Sequence, residues 1–349
     1  MYPENIILSS NPSTDFASLL NENDYTSITL LVDENTEQLC LPLLVRAFDG
    51  LNKITIKPGE DSKSLATCDY IWSEMSKFNL DRSSLLINIG GGIICDIGGF
   101  CASTYKRGID FINIPTTLLA MVDASFGGKT GFNFYGLKNQ IGTFAEPLTT
   151  VIHPGFLHTL DLRQIKSGFA EVLKHAIIAD AGIFEILAEA NLEAMDWDGI
   201  ISSSISIKNS IVEKDPFEEG FRKSLNFGHT IGHALELTLP EVGVEVLHGE
   251  AVAAGILAES FISSQKLDLA QPEMARIKAA IMNHFGILEL NSDLIPQIIS
   301  RIKGDKKNKA GKTLMTLIPK IGSVEVNLEV SDSEIEAGLT YYQSLSLRK

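Results

Sequence analysis

The stretch LLINIGGGIICDIGG, residues 85–99, decides the fold. Its first five residues form a short apolar run typical of a buried strand, and an apolar helix is predicted to begin after the glycines. Glycines at this turn let backbone N–H groups approach a ligand, and the dipole of the helix N-terminus favours an anion. The stretch therefore predicts a dinucleotide-type phosphate site. It is not the usual G-x-G-x-x-G pattern, so a tight turn without a ligand is the alternative.

Short β-rich runs alternate with helical patterns through the first half of the chain. Each run is closed by Gly, Pro or Asp, and helical patterns such as residues 61–78 lie between the runs. This alternation predicts βαβ units and a parallel sheet, and hence an α/β fold. The predicted strands cover residues 28–32, 54–56, 85–89 and 111–114.

The second half of the chain is predicted to be mostly helical. The first helix runs from a cap at Asp161 or Ser167 to about Ala181, and a β-like run at residues 313–330 precedes a last helix after Ser331. Pro154 and Gly155 break the pattern where the two halves of the chain meet, so the domain boundary is predicted between residues 158 and 159. The intervening helices are predicted at 183–195, 198–214, 222–238, 249–266 and 272–285.

The composition excludes several classes of partner. The chain has 349 residues and a formal net charge of -15, which repels nucleic-acid phosphate and anionic lipid. The N-terminus MYPENIILSS lacks the regions of a signal peptide, and no apolar run approaches the roughly 18 residues of a membrane span. We therefore expect a cytoplasmic protein with no nucleic-acid or membrane partner. Cys95 and Cys101 are interpreted as small buried side chains, not as part of a disulfide framework.

A candidate metal site lies in the second half. The segment NFGHTIGHALE, residues 226–236, carries His229 and His233 at i and i+4, which places both on one face of a helix. His248 follows in His-Gly-Glu, and Glu171 lies upstream. One carboxylate and two imidazoles form a common catalytic zinc set with an open position for substrate oxygens. The spacing leaves open which of His229 and His233 is the ligand, and capping or solvent-facing histidines are the alternative.

Two further patterns point to an anionic ligand. Gly59 and Glu60 follow a strand, where Glu60 could hold a ribose hydroxyl and Lys63 a phosphate, although an ordinary loop is the alternative. Cationic residues also lie beside glycines, asparagines and histidines in an acidic chain, which predicts a substrate with phosphate and carboxylate groups. These cations are Arg107, Lys129, Lys138, Lys174, Lys208, Arg222 and Lys306 with Lys307.

The motifs together resemble the 3-dehydroquinate synthases, a family within the sugar-phosphate cyclases. The resemblance spans about residues 55–325, and joint motifs such as LNFGHTIGHALE are highly specific. It implies a Rossmann-like NAD-binding domain over residues 1–158, a mostly α-helical metal- and substrate-binding domain over residues 159–349, and a site in the cleft between them. The stretches that carry it are PGEDSKS, NIGGGIICDIGGFCASTYKRGI, IPTTLLAMVDASFGGKTGFN, KNQIGTF, GFAEVLKHAI, FRKSLNFGHTIGHALE and HGEAVAAG.

The resemblance also implies roles for individual residues. Glu171, His229 and His248 would bind Zn2+, with Co2+ as an alternative ion, and His233 would act in proton transfer. Substrate-site residues would be Asp123, Lys129, Asn139, Lys174, Lys208, Arg222, Asn226 and Lys306, with Arg107 supplied across a homodimer interface. NAD+ contacts would be Gly59, Glu60, Lys63, Gly91, Gly92, Asp96, Thr116, Thr117, Asp123, Lys129, Lys138 and the segment from Phe156 to Thr159.

The sequence departs from the family pattern in three places. Residues 216–219, Pro-Phe-Glu-Glu, replace the usual acidic and polar run, and the first 50 residues do not match distinctively. The choice between Lys306 and Lys307 as the late active-site lysine stays open.

The implied reaction closes an acidic sugar phosphate into a carbocycle. 3-Deoxy-D-arabino-heptulosonate 7-phosphate would become 3-dehydroquinate and phosphate through transient oxidation by NAD, β-elimination, reduction and aldol closure. The rivals are a 2-deoxy-scyllo-inosose or valiolone-type synthase, a glycerol-dehydrogenase-like enzyme, and a catalytically dead nucleotide-binding subunit.

Overall fold

The computed structural model describes residues 5–12, 14–15, 24–44, 48–135, 137–304 and 312–346. These residues form two compact units. The first unit comprises the described residues up to Ile165 together with Trp197–Asn209, and the second comprises Lys166–Asp196 and the described residues from Ser210 onward. None of the helices in the described ranges combines the length and hydropathy that a membrane span requires.

A six-stranded parallel sheet organises the first unit, in the order β1-β8-β5-β4-β2-β3. The predicted parallel sheet is therefore confirmed. All six residues of the central strand β4 are buried, as expected for a strand covered on both faces. The strands are β1 (Ile6–Leu8), β2 (Ile28–Asp33), β3 (Asn52–Ile56), β4 (Leu85–Gly90), β5 (Asp110–Pro115) and β8 (Thr149–Ile152).

The strand order creates a crevice at the end of β4. From β2 the chain continues to β3 toward one edge of the sheet, and from β4 it continues to β5 toward the other edge. In open α/β sheets, ligands bind outside the carboxyl ends of the strands at such a switch point. The glycine-rich turn after β4 lies at this point, so the fold places the predicted phosphate-binding turn where a dinucleotide is expected.

The remaining elements of the first unit are an antiparallel hairpin and short helices. The hairpin of β6 (Lys129–Phe134) and β7 (Leu137–Phe144) was not predicted from the sequence, and neither were β1 and β8. Ser64 caps the second helix, which therefore begins at Leu65 and not at residue 61. The helices are α1 (Glu34–Leu39), α2 (Leu65–Lys77), α3 (Gly92–Thr104) and, continuing into the second unit, α4 (Leu162–Ala179) and α6 (Trp197–Lys214).

Helices dominate the second unit. The helix α8 is buried along most of its length and packs against α7, α9 and α11, so it forms the core of the unit. Asp161, and not Ser167, caps α4, because its Oδ1 accepts the Gln164 N–H at 2.8 Å. The other helices are α5 (Ala181–Ala188), α7 (His229–Thr238), α8 (His248–Lys266), α9 (Gln271–Phe285), α10 (Ile295–Lys303) and α11 (Asp332–Ser346).

The predicted β-like run near the C-terminus is an antiparallel hairpin of β9 (Thr313–Lys320) and β10 (Ser323–Val330). Two helix predictions were wrong in extent. The helix predicted at 183–195 ends at Ala188. The helix predicted at 222–238 begins only at His229, because Gly228 adopts the left-handed conformation with φ of 80° and interrupts it. The preceding residues Phe221–Asn226 form a 3-10 turn.

Candidate active site

Glu171, His229 and His248 come together in the second unit. Glu171 Oε1 lies 3.3 Å from His229 Nε2 and 3.2 Å from His248 Nε2. One donor atom from each of the three residues lies within 4.8 Å of the others. An oxygen and two imidazole nitrogens that converge on one point fit the ligand set of a catalytic zinc ion. These three residues are therefore the candidate metal centre.

Close backbone approach fixes the spacing of the candidate metal centre. His248 is the first residue of α8, and the following Gly249 N–H donates to Ser167 Oγ at 3.0 Å. A Cβ on Gly249 would lie 2.0 Å from the Ser167 carbonyl oxygen, so only glycine fits here. Because Ser167 precedes Glu171 by about one turn of α4, this contact holds His248 beside the carboxylate.

The Glu171 carboxylate is charged although its side chain is fully buried. Burial alone would raise its pKa, but the ammonium of Lys174 holds the pKa well below its usual range. Lys174 Nζ donates to Oε2, which leaves Oε1 facing the two histidines. Lys174 thus keeps the carboxylate in the ionised form that a metal ion requires.

The two histidines differ in protonation. His229 Nδ1 lies 3.2 Å from the Phe227 carbonyl oxygen, which can only accept, so Nδ1 carries the hydrogen and Nε2 keeps its lone pair. Burial and the charge of Lys174 lower the pKa of His229, which is therefore neutral. Burial would also lower the pKa of His248, but hydrogen bonds to Glu171 and Glu236 raise it to about 10.

A second grouping shares one of these histidines. His233, Glu236 and His248 also bring donor atoms within 4.8 Å of one another, and the His229 and His233 rings lie 5.1 Å apart. This grouping is more exposed than the first. The burial of Glu171 and the fixed tautomer of His229 favour the first grouping, and with it His229 over His233 as a ligand.

Zinc binding should release about one proton per ion at about pH 6, because only His248 of the three residues is protonated in the metal-free chain. Zinc affinity should accordingly rise with pH across the range below the His248 pKa. Titration calorimetry in buffers of different ionisation enthalpy measures the proton count. Binding without proton release would contradict the protonation states described above.

The glycine-rich turn leaves the N-terminus of α3 open. Gly91 is the N-cap and supplies no side-chain hydrogen bond to the first turn. A Cβ on Gly91 would lie 3.1 Å from Thr117 Cγ2, and a Cβ on Gly92 would lie 3.0 Å from Ala124 Cβ. Side chains here would crowd the turn, whereas glycines leave the N–H groups accessible, which fits a pyrophosphate.

Several predicted cofactor residues meet around a buried lysine in the first unit. Lys63 Nζ lies 2.5 Å from both Asp96 Oδ2 and Asn139 Oδ1. Burial raises the pKa of the Asp96 carboxyl, and the charge of Lys63 opposes this effect. Nearby, Lys138 Nζ lies 3.8 Å from Glu60 Oε1. Gly59 precedes this group with φ of 99°, a conformation that favours glycine.

Asn133 forms hydrogen bonds to three of these residues, and it was not predicted from the sequence. Its Nδ2 donates to Glu60 Oε1 at 2.7 Å, and its Oδ1 accepts the Asn139 N–H at 2.9 Å. Its own N–H donates to the Lys63 carbonyl oxygen at 2.8 Å. Asn133 lies in the β6–β7 hairpin, whose strands have no clear alternating pattern, so no sequence signal pointed to it.

Replacing Asn133 with alanine should weaken NAD+ binding roughly tenfold, because two side-chain hydrogen bonds of about 0.5–1.5 kcal/mol each are lost. The variant leaves Glu60, Lys63, Asp96 and Lys138 in place, so the turnover number at saturating NAD+ should change little. The Kd for NAD+ from titration calorimetry tests this. Asn191→Ala is the control, since Asn191 accepts a local bond from the Glu193 N–H. Equal NAD+ affinity in the two variants would contradict the role of Asn133.

The buried Lys208 forms an ion pair with the partly exposed Asp123 in the first unit. Lys208 Nζ lies 2.8 Å from Asp123 Oδ1 and donates to the Phe126 carbonyl oxygen at 3.0 Å. It also lies 4.4 Å from the centroid of the Phe126 ring. Asp123 belongs to a π-helical turn, Ala120–Ala124, a rare feature that is frequent at functional sites.

The loop that carries Arg222 is built on Asp215. The Asp215 carboxylate accepts the N–H groups of Glu219, Gly220 and Arg222 at 2.9, 2.7 and 3.0 Å. Burial alone would raise the pKa of Asp215, but these hydrogen bonds lower it. The sequence analysis missed Asp215, although an aspartate before proline is a turn signal. The segment that departs from the family pattern is therefore an ordered turn.

Two further contacts complete this loop. Arg222 Nη1 donates to the Pro216 carbonyl oxygen at 2.5 Å, and Asn226 Nδ2 donates to Glu218 Oε1 at 2.8 Å. Arg222 is buried, so its charge is held inside the second unit.

Four of the predicted site cations are buried. Among the described lysines and arginines, these four are the only buried ones. Burying a charge is costly unless it is paired and hydrogen-bonded. They are Lys63, Lys174, Lys208 and Arg222.

The remaining predicted residues occupy different environments. Arg107 and Lys129 are exposed, and Arg107 has φ of 72°, which is strained for a residue with a side chain. Thr116 and Phe156 are buried, and Thr159 Oγ1 donates to the Phe156 carbonyl oxygen at 2.7 Å. Lys306 and Lys307 lie outside the described residues.

The parallel sheet with its glycine turn, joined in one chain to a helical unit with a Glu-His-His cluster, defines a protein of the sugar-phosphate cyclase class. Two family models match the chain, the 3-dehydroquinate synthase N-terminal model over residues 53–167 and the C-terminal model over residues 168–308. The chain belongs to the 3-dehydroquinate synthase family.

Relatives and one solved structure agree with this assignment. A 3-dehydroquinate synthase of Parabacteroides distasonis is 36% identical over 348 residues, 98% of this chain and 99% of that protein. One of Prochlorococcus marinus is 41% identical over 294 residues, 81% of this chain and 78% of that protein. ValA, a 2-epi-5-epi-valiolone synthase of Streptomyces hygroscopicus with NAD+ and Zn2+ bound, is similar with a TM-score of 0.85 at 26% identity, covering 100% of this chain and 98% of its own.

Proposed function

We propose that this chain is a 3-dehydroquinate synthase that converts 3-deoxy-D-arabino-heptulosonate 7-phosphate to 3-dehydroquinate and phosphate, a step of aromatic amino-acid biosynthesis. The observation that carries the proposal is the cluster of Glu171, His229 and His248 in a chain of this family. The buried cations Lys208 and Arg222 support an anionic substrate, because both charges are held in fixed positions by contacts within the chain.

The proposed cofactors are NAD+ and a zinc ion, with cobalt as an alternative ion. When bound, the metal supplies Lewis-acid polarisation of substrate oxygens, and the nicotinamide takes up and returns a hydride. Glu171, His229 and His248 would hold the metal. Glu60, Lys63, Asp96 and the turn at Gly91 and Gly92 would hold NAD+. The valiolone synthase with NAD+ and Zn2+ bound supports this cofactor pair.

We assign the remaining work to side chains that bind, orient and exchange protons. Lys129, Lys208 and Arg222 would compensate the phosphate charge. Lys208 is held by Asp123, and the Arg222 loop is held by Asp215, so both cations are fixed before substrate binds. His233 lies on the same helix as His229 and would move protons at the substrate hydroxyls. Holding reacting groups in place can remove about 7–11 kcal/mol of the barrier.

The substrate carboxylate separates this function from its closest rival. Arg107, Asn139, Asn226 and Lys306 form the carboxylate-type set of the family, which favours the heptulosonate over the substrates of inosose or valiolone-type cyclases. The higher identity to two dehydroquinate synthases, 36% and 41%, than to the valiolone synthase, 26%, supports the same choice. We further propose that the protein works in the cytoplasm as a homodimer, in which the partner supplies its Arg107.

The proposed function is tested by incubating the protein with the heptulosonate phosphate, NAD+ and zinc, with and without a chelator. Phosphate and dehydroquinate should appear in equal amounts, no NADH should accumulate, and the chelator should stop the reaction. Net NADH would support a glycerol-dehydrogenase-like enzyme, and phosphate release only from a sugar phosphate without a carboxylate would support another cyclase. No bound metal and no product would indicate a dead subunit.

A further inference from the structure

Glu259 is a buried carboxylate that the proposed reaction does not use. Among the described carboxylates only Glu171 and Glu259 are buried, and both side chains are completely inaccessible. Burying an ionised carboxylate is costly unless hydrogen bonds compensate it. Glu259 lies in α8, 11 residues after His248, which is roughly 16 Å along the helix, so it is not a ligand of the candidate metal centre.

The hydrogen bonds of Glu259 go to the start of α7. Its Oε2 accepts the Gly228 N–H at 2.7 Å, and its Oε1 accepts the Ile231 N–H at 3.0 Å. Gly228 is the N-cap of α7 and has no side chain to satisfy these donors. A carboxylate here also interacts favourably with the positive end of the helix dipole. Glu259 therefore caps the helix that begins with His229.

One peptide group connects Glu259 to His229. The Gly228 N–H that donates to Glu259 and the Phe227 carbonyl that accepts from His229 Nδ1 belong to the same peptide bond. A carboxylate at the N–H end polarises the peptide and makes its carbonyl a stronger acceptor. The carbonyl fixes the tautomer and orientation of the His229 ring, with Nε2 turned toward Glu171.

The helices α7 and α8 pack too closely for other groups to take over the hydrogen bonds of Glu259. A Cβ on Gly255 would lie 1.9 Å from the Gly228 carbonyl oxygen, and a Cβ on Gly228 would lie 2.5 Å from Ile256 Cγ1. The backbones are thus in direct contact beside Glu259. Since α7 begins with His229 and α8 with His248, the same contact sets the distance between the two histidines.

We propose that Glu259 is a positioning residue of the metal centre, which acts through the Phe227–Gly228 peptide to orient His229 and increase its basicity as a ligand. This inference rests on the proposed function, because it takes Glu171, His229 and His248 as the metal ligands. It concerns metal affinity and the geometry of the bound ion, and it gives Glu259 no contact with the substrate.

The test is the zinc affinity of Glu259→Gln, measured by competition with a chelator of known affinity. Glutamine keeps the shape of the side chain, but it removes the charge and turns an amide N–H toward one of the backbone donors. Zinc affinity should fall about 10–100-fold, as is typical for partners of metal-bound histidines. The visible absorption of the cobalt-loaded variant should also change, because the orientation of His229 changes.

Two further variants keep the test decisive. Glu273→Gln is the matched control, since Glu273 accepts the Ile321 N–H at 3.0 Å without any link to a histidine, and its zinc affinity should equal that of the wild type. Glu259→Asp keeps the charge with a shorter reach, so it should also weaken zinc binding, and it replaces the glutamine variant if that one fails to fold.

The outcomes separate this inference from the proposed function. A folded Glu259 variant with a lower melting temperature but wild-type zinc affinity and an unchanged cobalt spectrum would overturn the inference and leave the proposed function standing. A wild-type chain that binds no zinc would overturn both.

Discussion

His229→Ala should lose zinc and activity together. The substitution removes one of the two imidazole ligands, and Glu171 and His248 cannot hold the ion alone in an open site. Because a Lewis-acid metal contributes several kcal/mol to the barrier reduction, kcat/KM should fall by more than about 10³-fold. Zinc content by elemental analysis and phosphate release from the heptulosonate phosphate measure the two effects on one preparation.

His284→Gln is the control for His229→Ala. His284 is also buried, but its Nε2 donates to the Leu187 carbonyl oxygen at 3.0 Å in the core of the second unit. Its replacement should lower the melting temperature and leave the zinc content at the wild-type level. A His229→Ala protein that retains zinc and activity would remove His229 from the metal centre.

His233→Ala should lose activity and keep zinc. His233 lies one turn after His229 on α7, and we assign it to proton transfer, which typically contributes 10² to 10⁴-fold to the rate. The turnover number should therefore fall by about 10² to 10⁴-fold at saturating substrate, with one zinc ion still bound.

The opposite result for the two histidine variants would indicate a different metal site. If His233→Ala lost zinc and His229→Ala kept it, the ion would occupy the second grouping of His233, Glu236 and His248. The assignment of ligand and proton-transfer group would then be reversed.

Short-range residue patterns in the sequence predicted the central strands of the parallel sheet. The strands Ile28–Asp33 and Leu85–Gly90 are short runs of mainly apolar residues between turn residues, and such runs mark buried parallel strands. The pattern of histidines and carboxylates predicted a metal site near α7, but the spacing left open which of His229 and His233 is a ligand. The set of Glu171, His229 and His248 came from the family resemblance and not from spacing.

Other features depend on contacts that a single sequence does not reveal. The helix predicted at 222–238 is interrupted at Gly228, which has a left-handed conformation and lies so close to α8 that a side chain would not fit. Asn133 and Glu259 act through hydrogen bonds to residues distant in the sequence, the Glu60 side chain and the Gly228 N–H, whereas Asp215 accepts N–H groups of the loop that follows it. No residue type or spacing signals the bonds of Asn133 and Glu259, so these two positioning residues emerge only from the three-dimensional structure.

The most direct test of the central claim is a crystal structure of the zinc-loaded protein with anomalous data at the zinc edge. We expect one strong anomalous peak in the second unit, bonded at about 2.0–2.2 Å to Glu171, His229 Nε2 and His248 Nε2. His229 Nδ1 should still donate to the Phe227 carbonyl oxygen. A peak bonded to His233 and Glu236, or no peak near Glu171, would contradict the account.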